Sequence, residues 1–414
     1  MGELYTATLA KDAEFHAGLY ARKPVMFVRG AGMKLYDDEG TEYLDFVSGL
    51  GAVNLGHAHP AVASAAAVQM ATLVHVTNLY QVEHRSELAE ILVGLAGGGM
   101  KTFFCNSGAE ANEGAIKLAR KWGKSNKGDS CVRIITAQCS FHGRTLAALA
   151  ATGQAGKKED FEPLPEGFTH VPLNDLSALE AELDDTVCAV MLEPVQGEGG
   201  VWPCSKEYLA GVRALCNERD ILLILDEVQT GFWRTGPVFA HQAFGITPDI
   251  MTLAKAMANG LPIGAVLARD EVAAIFQPGD HGSTFAGGPV VCAAALATIE
   301  AMQTEDLGSN VEKVGAYLRS GLERMATETG AIVEIRGRGL MLAAQLAEPE
   351  AAKIAAAALD RGVVLNNIGP DILRFLPPLV CSEGDVDALL SMLSELLAEE
   401  DTVQYPPGTR EVRT

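Results

Sequence analysis

Two short apolar runs, each ending beside a polar side chain, contain the residues best able to do chemistry. Residues 221–225 are followed by Asp226, and residues 250–253 are followed closely by Lys255. Runs of this length are typical of buried strands. In an open α/β sheet the ligand crevice lies at the carboxyl ends of the parallel strands. The pattern therefore predicts that one carboxylate and one amine face the same crevice.

An amine in such a crevice can form a Schiff base when its surroundings lower its pKa. Pyridoxal phosphate combines a lysine imine with an acidic partner for its ring nitrogen, so Asp226 and Lys255 together favour a site for this cofactor. The ordinary alternative is that Asp226 caps a turn and Lys255 is a solvated helix residue. Residues elsewhere in the chain must decide between the two interpretations.

A candidate phosphate site follows a predicted strand at residues 101–105. Residues 106–113, Asn-Ser-Gly-Ala-Glu-Ala-Asn-Glu, open a predicted helix that runs to about Lys124. Small residues at a helix N-terminus leave backbone N–H groups free, and together with the helix dipole these attract an anion. The alternative is an ordinary helix capped by Ser107 with Glu110 as the capping-box acid. The two interpretations are compatible.

Two further loops follow predicted strands and are expected at the same edge of the sheet. Residues 141–144, Phe-His-Gly-Arg, lie after the strand at 132–136, and residues 193–200 lie after the strand at 188–192. The carboxylates of Glu193 and Glu198 are either solvated loop charges or part of the crevice. His57 and His59 have no third candidate ligand nearby in sequence, which favours structural roles over a metal site, so we expect no bound metal.

Composition limits the classes of protein that the chain can be. Its formal net charge of −21 argues against a nucleic-acid partner and requires locally placed arginines for any anionic substrate. Eight cysteines without a C-x-x-C pair fit neither a disulfide framework nor a zinc site. No uncharged apolar stretch approaches the length of a membrane span. We expect a cytoplasmic protein with no membrane partner.

Alternating strands and helices predict an α/β fold with a mainly parallel sheet covered by helices on both faces. We expect residues 1–60 to form an N-terminal arm and part of a small domain. Residues 61–303 are expected to form the large cofactor-binding domain, and residues 304–414 a smaller α+β domain. The second boundary is placed where the alternation of strands and helices changes.

Taken as an ordered set, these stretches resemble the class III aminotransferases of the pyridoxal-phosphate fold type I superfamily, over essentially the whole chain. The motifs that carry the resemblance are residues 106–113, 141–145, 193–198, 226–231, Lys255 and 282–284.

The resemblance implies a role for each matching residue at the cofactor. Lys255 would bind the cofactor as a Schiff base and act as the base in catalysis, and Asp226 would hold the proton on the ring nitrogen. The complete cofactor-binding set implied by the resemblance is Ser107, Gly108, Ala109, Phe141, Asp226, Gln229, Lys255 and Thr284. In this family the threonine reaches the phosphate of the neighbouring subunit, which implies a homodimer with shared active sites.

The resemblance also implies a set of substrate-binding residues. Arg144 and Ser283 match positions that hold the carboxylate of the amino donor, and Arg374 matches the arginine that binds 2-oxoglutarate. Glu198 matches a switch residue that pairs with this arginine until the keto acid arrives. One site would thus serve two substrates.

Residues 53–57 and 75–80 resemble the acetylornithine branch of the family. This likeness implies transfer of the terminal amino group of N2-acetyl-L-ornithine to 2-oxoglutarate, in arginine biosynthesis. Other donors remain open: succinyl-diaminopimelate, succinylornithine, ornithine, 4-aminobutyrate or a carrier-bound lysine intermediate. Another reaction on the same cofactor also remains open.

A phosphate- or nucleotide-binding protein without catalysis is the alternative from a different class, and the lack of a G-x-G-x-x-G turn after a strand speaks against it. Trp233 departs from the glycine usual in the family, and its effect on the nearby cofactor loop is open.

Overall fold

Strands and helices alternate along most of the chain in the computed structural model, which describes residues 2–400. The strands are β1 (Phe27–Ala31), β2 (Lys34–Asp37), β3 (Glu42–Asp45), β4 (Met100–Cys105), β5 (Arg133–Ala137), β6 (Phe168–Val171), β7 (Val187–Leu192), β8 (Val195–Gln196), β9 (Trp202–Pro203), β10 (Leu222–Asp226), β11 (Ile250–Leu253), β12 (Gly264–Arg269), β13 (Ile332–Arg338), β14 (Met341–Leu346), β15 (Val363–Val364), β16 (Asn366–Ile368) and β17 (Ile372–Phe375). The helices are α1 (Glu3–Phe15), α2 (Ser48–Gly51), α3 (Pro60–Thr72), α4 (Arg85–Leu95), α5 (Gly108–Lys127), α6 (Leu146–Ala151), α7 (Leu176–Ala181), α8 (Lys206–Glu218), α9 (Ala240–Phe244), α10 (Asp270–Ala273), α11 (Pro289–Thr304), α12 (Leu307–Thr329), α13 (Ala351–Asp360) and α14 (Glu383–Glu400).

The largest sheet has seven strands in the order β4-β12-β11-β10-β7-β5-β6. Strand β12 is antiparallel to both of its neighbours, whereas the pairs from β11 to β6 are parallel. The prediction of a mainly parallel α/β sheet is therefore confirmed. The antiparallel β12 was not predicted.

The central strands of this sheet are buried along their whole length because helices cover both faces. Alternate residues of β10 enter different apolar clusters: Leu222 and Ile224 pack with α5, and Leu223 and Leu225 pack with α8. A strand covered in this way must be apolar at every position. Asp226, its last residue, is the exception and lies at the carboxyl end.

A second region of the structure joins the two ends of the described chain. In the four-stranded sheet β1-β2-β3-β15, Val363 and Val364 pair in parallel with Leu44 and Asp45. This pairing supports our assignment of residues 1–60 in part to a small domain with residues 304–414, and we keep the three-part division as a proposal. Residues 401–414 of that domain lie outside the described residues.

The buried side chain of Arg234 links distant parts of the chain. Its Nη1 donates to the carbonyl oxygens of Leu340 and Pro377, and its Nη2 donates to Ser48 Oγ and Asn54 Oδ1. A buried guanidinium is tolerated only when acceptors surround it. One side chain thus holds together an N-terminal turn, the loop after β10 and two C-terminal segments.

Trp233, the neighbouring residue, packs against a C-terminal segment of the chain. Its indole packs against Gly308 at the start of α12, where a β-carbon built on the glycine would lie 2.8 Å from Trp233 Cδ1. The extra bulk is accommodated because Gly308 has no side chain.

Residues 2–400 lack two features that mark other classes of protein. No helix in that range is long and apolar enough to cross a membrane. No group of three or more His, Cys, Asp or Glu side chains there could hold a metal ion. His57 and His59, the histidines considered above, instead contact Asp45 and Glu305.

Candidate active site

A cavity of about 380 Å³ lies at the carboxyl ends of the parallel strands. It brings together nine of the twelve residues that the sequence singled out. These are Ser107, Gly108, Ala109, Phe141, Arg144, Glu198, Asp226, Gln229 and Lys255. Of the remaining three, Arg374 pairs with Glu198 at the wall, Ser283 accepts a hydrogen bond from Asn106 in the wall, and Thr284 is exposed.

The carboxylate of Asp226 is held by partners from two other segments and by the backbone just after it. Its Oδ2 accepts hydrogen bonds from Asn112 Nδ2 at 2.7 Å and from His142 Nδ1 at 2.8 Å, and its Oδ1 accepts from the backbone N–H of Val228 at 3.0 Å. Although burial of the imidazole opposes its charge, the contact with Asp226 raises the pKa of His142 above the ordinary value. Asp226 is thus kept in one orientation at the cavity floor, ready to hold a proton on a basic ring nitrogen.

Lys255 follows β11 and begins a single turn of 3₁₀ helix, Lys255–Ala258. Its backbone has φ +40°, in the left-handed region that ordinary residues rarely adopt. Burial lowers the pKa of its amine to about 8, and the nearby Arg374 acts in the same direction. The neutral amine, which is the nucleophilic form, is therefore accessible near physiological pH.

The start of α5 forms a site for an anion. Ser107 caps the helix by accepting a hydrogen bond from the N–H of Glu110, and the Glu110 carboxylate accepts from the N–H of Asn106. The first N–H groups of a helix have no acceptor within it, and those of Gly108 and Ala109 lie at the cavity wall. The capping and anion-binding interpretations of this turn are thus compatible in the structure.

Gly108 is required by its close approach to the loop after β10. A β-carbon built at this position would lie 2.7 Å from Val228 Cγ1, closer than real β-carbons come. The absence of a side chain on Gly108 lets the start of α5 and the segment after Asp226 share one wall of the cavity.

Charged side chains suited to binding carboxylates lie in the wall and at the mouth of the cavity. Arg374 on β17 is buried, and its Nη1 donates to Glu198 Oε1 at 2.5 Å. Although burial of Glu198 opposes its charge, the guanidinium of Arg374 lowers the pKa of Glu198. Arg144 is exposed at the mouth, with its Cζ 5.6 Å from the ring centroid of Phe141.

The sequence did not reveal the role of Glu193, which joins two loops of the site. Its Oε1 accepts a hydrogen bond from the N–H of Phe141 at 2.9 Å, and its Oε2 accepts from the N–H of Gly197 at 3.1 Å. Burial raises the pKa of Glu193 to about 7. Its position after a buried strand was a signal, but the partners could be known only from the fold.

The residues present fit pyridoxal phosphate. The cavity supplies a buried carboxylate for a ring nitrogen, an amine of lowered pKa, an aromatic face and a helix N-terminus for a phosphate. Among the described residues, Gln229 Oε1 is buried without a hydrogen-bond partner. A ligand with a polar group on its ring would satisfy this amide.

Comparison with known proteins agrees with this geometry. A family model described as "Aminotransferase class-III" matches residues 18–397. A protein of Caldanaerobacter subterraneus named acetylornithine aminotransferase is 47% identical over 380 residues, covering 92% of this chain and 96% of its own. A protein of the same name from Gloeobacter violaceus is 50% identical over 380 residues, covering 92% of this chain and 94% of its own.

A solved structure of the ornithine aminotransferase from Toxoplasma gondii, with the cofactor at partial occupancy in its active site, superposes with a TM-score of 0.91. It is 32% identical and the match covers 96% of this chain and 95% of that one. The chain belongs to the class III aminotransferases, with the fold type I architecture. It is a transaminase that depends on pyridoxal phosphate.

Proposed function

We propose that this enzyme transfers the terminal amino group of N2-acetyl-L-ornithine to 2-oxoglutarate, giving N-acetyl-L-glutamate 5-semialdehyde and L-glutamate, a step of arginine biosynthesis. One observation carries the proposal: Asp226 and Lys255 meet on the floor of a cavity whose walls hold the Arg374–Glu198 pair. The names of the relatives described above support the choice of donor.

When bound, pyridoxal phosphate supplies an aldehyde that exchanges with amines and a ring that accepts electrons. Asp226 would hold a proton at the ring nitrogen through its Oδ atoms, while Asn112 and His142 keep that carboxylate in place. Phe141 would cover one face of the ring, and the N–H groups of Ser107, Gly108 and Ala109 would hold the phosphate. Gln229 would bind the ring hydroxyl.

Lys255 Nζ would take the proton from the substrate carbon that carries the amino group and deliver it to its new position. A general base works best when its pKa lies near the working pH, and Lys255 has a pKa of about 8. An ordinary lysine with a pKa near 10.4 would be mostly protonated and unable to accept the proton.

The ion pair between Arg374 and Glu198 explains how one cavity would serve two substrates. With an amino donor whose reacting end lacks a carboxylate, Glu198 stays on Arg374 and neutralises it. With 2-oxoglutarate, the substrate carboxylate would displace Glu198 and bind the guanidinium in two places. Arg144 and Ser283 would hold the carboxylate at the opposite end of either substrate.

The proposal includes a homodimer in the cytoplasm. Thr284 is exposed on its own chain, where it would be available to the phosphate site of a second copy. Large apolar side chains are exposed beside it, and the rings of His75 and Phe285 are 5.3 Å apart, so residues 68–80 and this loop form one surface. An apolar surface of this kind is typical of a contact between chains. Sedimentation of the holoenzyme would test it, with a monomer as the contrary result.

The substrate is tested by visible absorption of the cofactor-saturated protein. N2-acetyl-L-ornithine, L-ornithine, 4-aminobutyrate and succinyl-diaminopimelate are added one at a time without a keto acid. We expect acetylornithine to bleach the band of the bound cofactor fastest, and 2-oxoglutarate to restore it. If another donor is faster, the fold and cofactor stand and the proposed donor is wrong.

A further inference from the structure

A second cation, Lys157, lies over the ring of Phe141, which lines the cavity together with Arg144, and it has no role in the function proposed above. It ends the short 3₁₀ helix Ala155–Lys157 and its side chain is half-buried. Its Nζ is 5.3 Å from the ring centroid of Phe141, and Arg144 Cζ is 5.6 Å from the same centroid. Two cations therefore lie close to one aromatic ring.

Hydrogen bonds fix the Lys157 ammonium to the loop that carries Phe141. The ammonium donates to Gln154 Oε1, and Gln154 Nε2 donates to the carbonyl oxygens of Cys139 at 3.2 Å and Ser140 at 3.1 Å. A lysine on the surface would lose much side-chain entropy on adopting one position. Here the amide has already fixed it.

The charges at the mouth are not balanced by carboxylates. Burial lowers the pKa of Lys157, and Glu198 is the nearby charge that most favours its protonated form while Arg144 opposes it. Glu198 is already paired with Arg374. Within residues 2–400, neither Arg144 nor Lys157 forms an ion pair with a carboxylate, so this mouth presents two cations in a protein of net charge −21.

We propose that Lys157 determines specificity: with Arg144, it selects donors whose α-end is an anion, the N-acylated α-amino acids, over donors with a free α-ammonium. The inference rests on the proposed function. Acylation removes the positive charge of the α-nitrogen, so the α-carboxylate alone faces the two cations. A free amino acid would bring its α-ammonium group near the ammonium group of Lys157, and these two positive charges would repel each other.

The change Lys157→Met removes the charge and keeps the apolar stem over Phe141. We expect the ratio of kcat/KM for N2-acetyl-L-ornithine to kcat/KM for L-ornithine to fall roughly tenfold, mostly through KM for the acetylated donor. Lys157→Arg, which keeps the charge, should retain most of the discrimination.

A binding measurement separates recognition from catalysis. N2-acetyl-L-norvaline and L-norvaline share the α-end of the two donors but lack the terminal amine. The enzyme is used in its pyridoxamine form, which has no aldehyde, so the α-amine of L-norvaline cannot form a Schiff base with the cofactor. Calorimetric titration of the holoenzyme should show that Lys157→Met weakens binding of the acetylated compound, with L-norvaline unchanged or tighter.

Lys158→Met is the matched control, because the neighbouring side chain donates to the carbonyl oxygen of Ala150 and contacts His170 Nε2, away from the cavity. This variant should keep the wild-type ratio. The proposal is overturned if Lys157→Met, folded and with the cofactor band intact, keeps both the rate ratio and the norvaline affinities within about twofold of wild type. If instead the wild-type enzyme does not use acetylornithine, the proposed function fails, and the norvaline pair still tests Lys157 by itself.

Discussion

At the scale of single residues, the chemistry of the cavity depends on contacts between positions far apart in sequence. Asp226 is held by His142, 84 positions away, and by Asn112, 114 positions away. Both partners stand in motifs that the sequence revealed, yet no local spacing connects them to Asp226. Such partners restrict a carboxylate to one rotamer, which is what a preorganised site requires.

The lowered pKa of Lys255 predicts how cofactor uptake depends on pH. Burial lowers this pKa to about 8, so below that value the amine is protonated and cannot attack an aldehyde. We expect the rate at which cofactor-free protein binds pyridoxal phosphate to rise roughly tenfold from about pH 7 to about pH 9 and then level off. The growth of visible absorbance measures it. A rate that still climbs towards about pH 10.4 would indicate an ordinary lysine.

If Glu198 is a switch, removing its charge should favour the half-reaction with 2-oxoglutarate and slow the half-reaction with the amino donor. Glu198→Gln removes the negative charge that is paired with Arg374, so 2-oxoglutarate no longer competes with a carboxylate for the guanidinium. We expect its KM to fall about threefold to tenfold, while the half-reaction with acetylornithine slows by a similar factor. Single-turnover kinetics measures each half separately. Glu180→Gln, at an exposed position on α7, should change neither rate, and a parallel loss of both half-reactions in Glu198→Gln would contradict a switching role.

At the scale of elements, the junction of α5 with the loop after β10 predicts a steric effect. In Gly108→Ala the new methyl group meets Val228 Cγ1 at 2.7 Å, so the helix start must move away from the cavity. We expect the affinity for pyridoxal phosphate to fall at least roughly tenfold, since the anion site depends on that start.

The double change Gly108→Ala with Val228→Ala removes the clash and should restore much of the cofactor affinity. Gly94→Ala on α4 is the control, because nothing lies within 4 Å of a β-carbon there. That change should leave cofactor affinity unaltered and stabilise the helix by roughly 0.5–1 kcal/mol. Equal loss in the single and double variants would show that the clash is not the cause.

The elements themselves were largely predictable, and the exceptions have a common cause. The strand at 250–253 was predicted with its observed bounds, and those at 188–192 and 221–225 within one residue, because buried strands are apolar at every position. Strand direction was not predictable: β12 runs antiparallel to β4 and β11 although its composition resembles that of the parallel strands of the sheet. Direction and pairing depend on connections through the whole fold, which local periodicity does not contain.

At the scale of the whole molecule, Arg234 predicts a loss of stability without a direct change in chemistry. Arg234→Met leaves the carbonyl oxygens of Leu340 and Pro377 and the Asn54 amide without a donor in a buried place. We expect the free energy of unfolding to fall by about 3–5 kcal/mol, measured by urea denaturation.

The matched control is Arg219→Met at the exposed end of α8, where the expected loss is within about 0.5 kcal/mol. A loss below about 1 kcal/mol in Arg234→Met would mean that the surrounding segments hold together without the guanidinium.

The pairing of β3 with β15 also affects how the protein is made. A ribosome that has released Arg269 has already released every strand of the seven-stranded sheet, whereas Leu44 and Asp45 wait for Val363 and Val364. More than three hundred residues separate Asp45 from Val363, and at roughly 5–20 residues per second their synthesis takes roughly 15 to 60 seconds. Through that interval the edge of β3 that β15 later covers is unpaired, and such an edge can bind wrong strands or chaperones. The first strands synthesised are thus among the last to be completed.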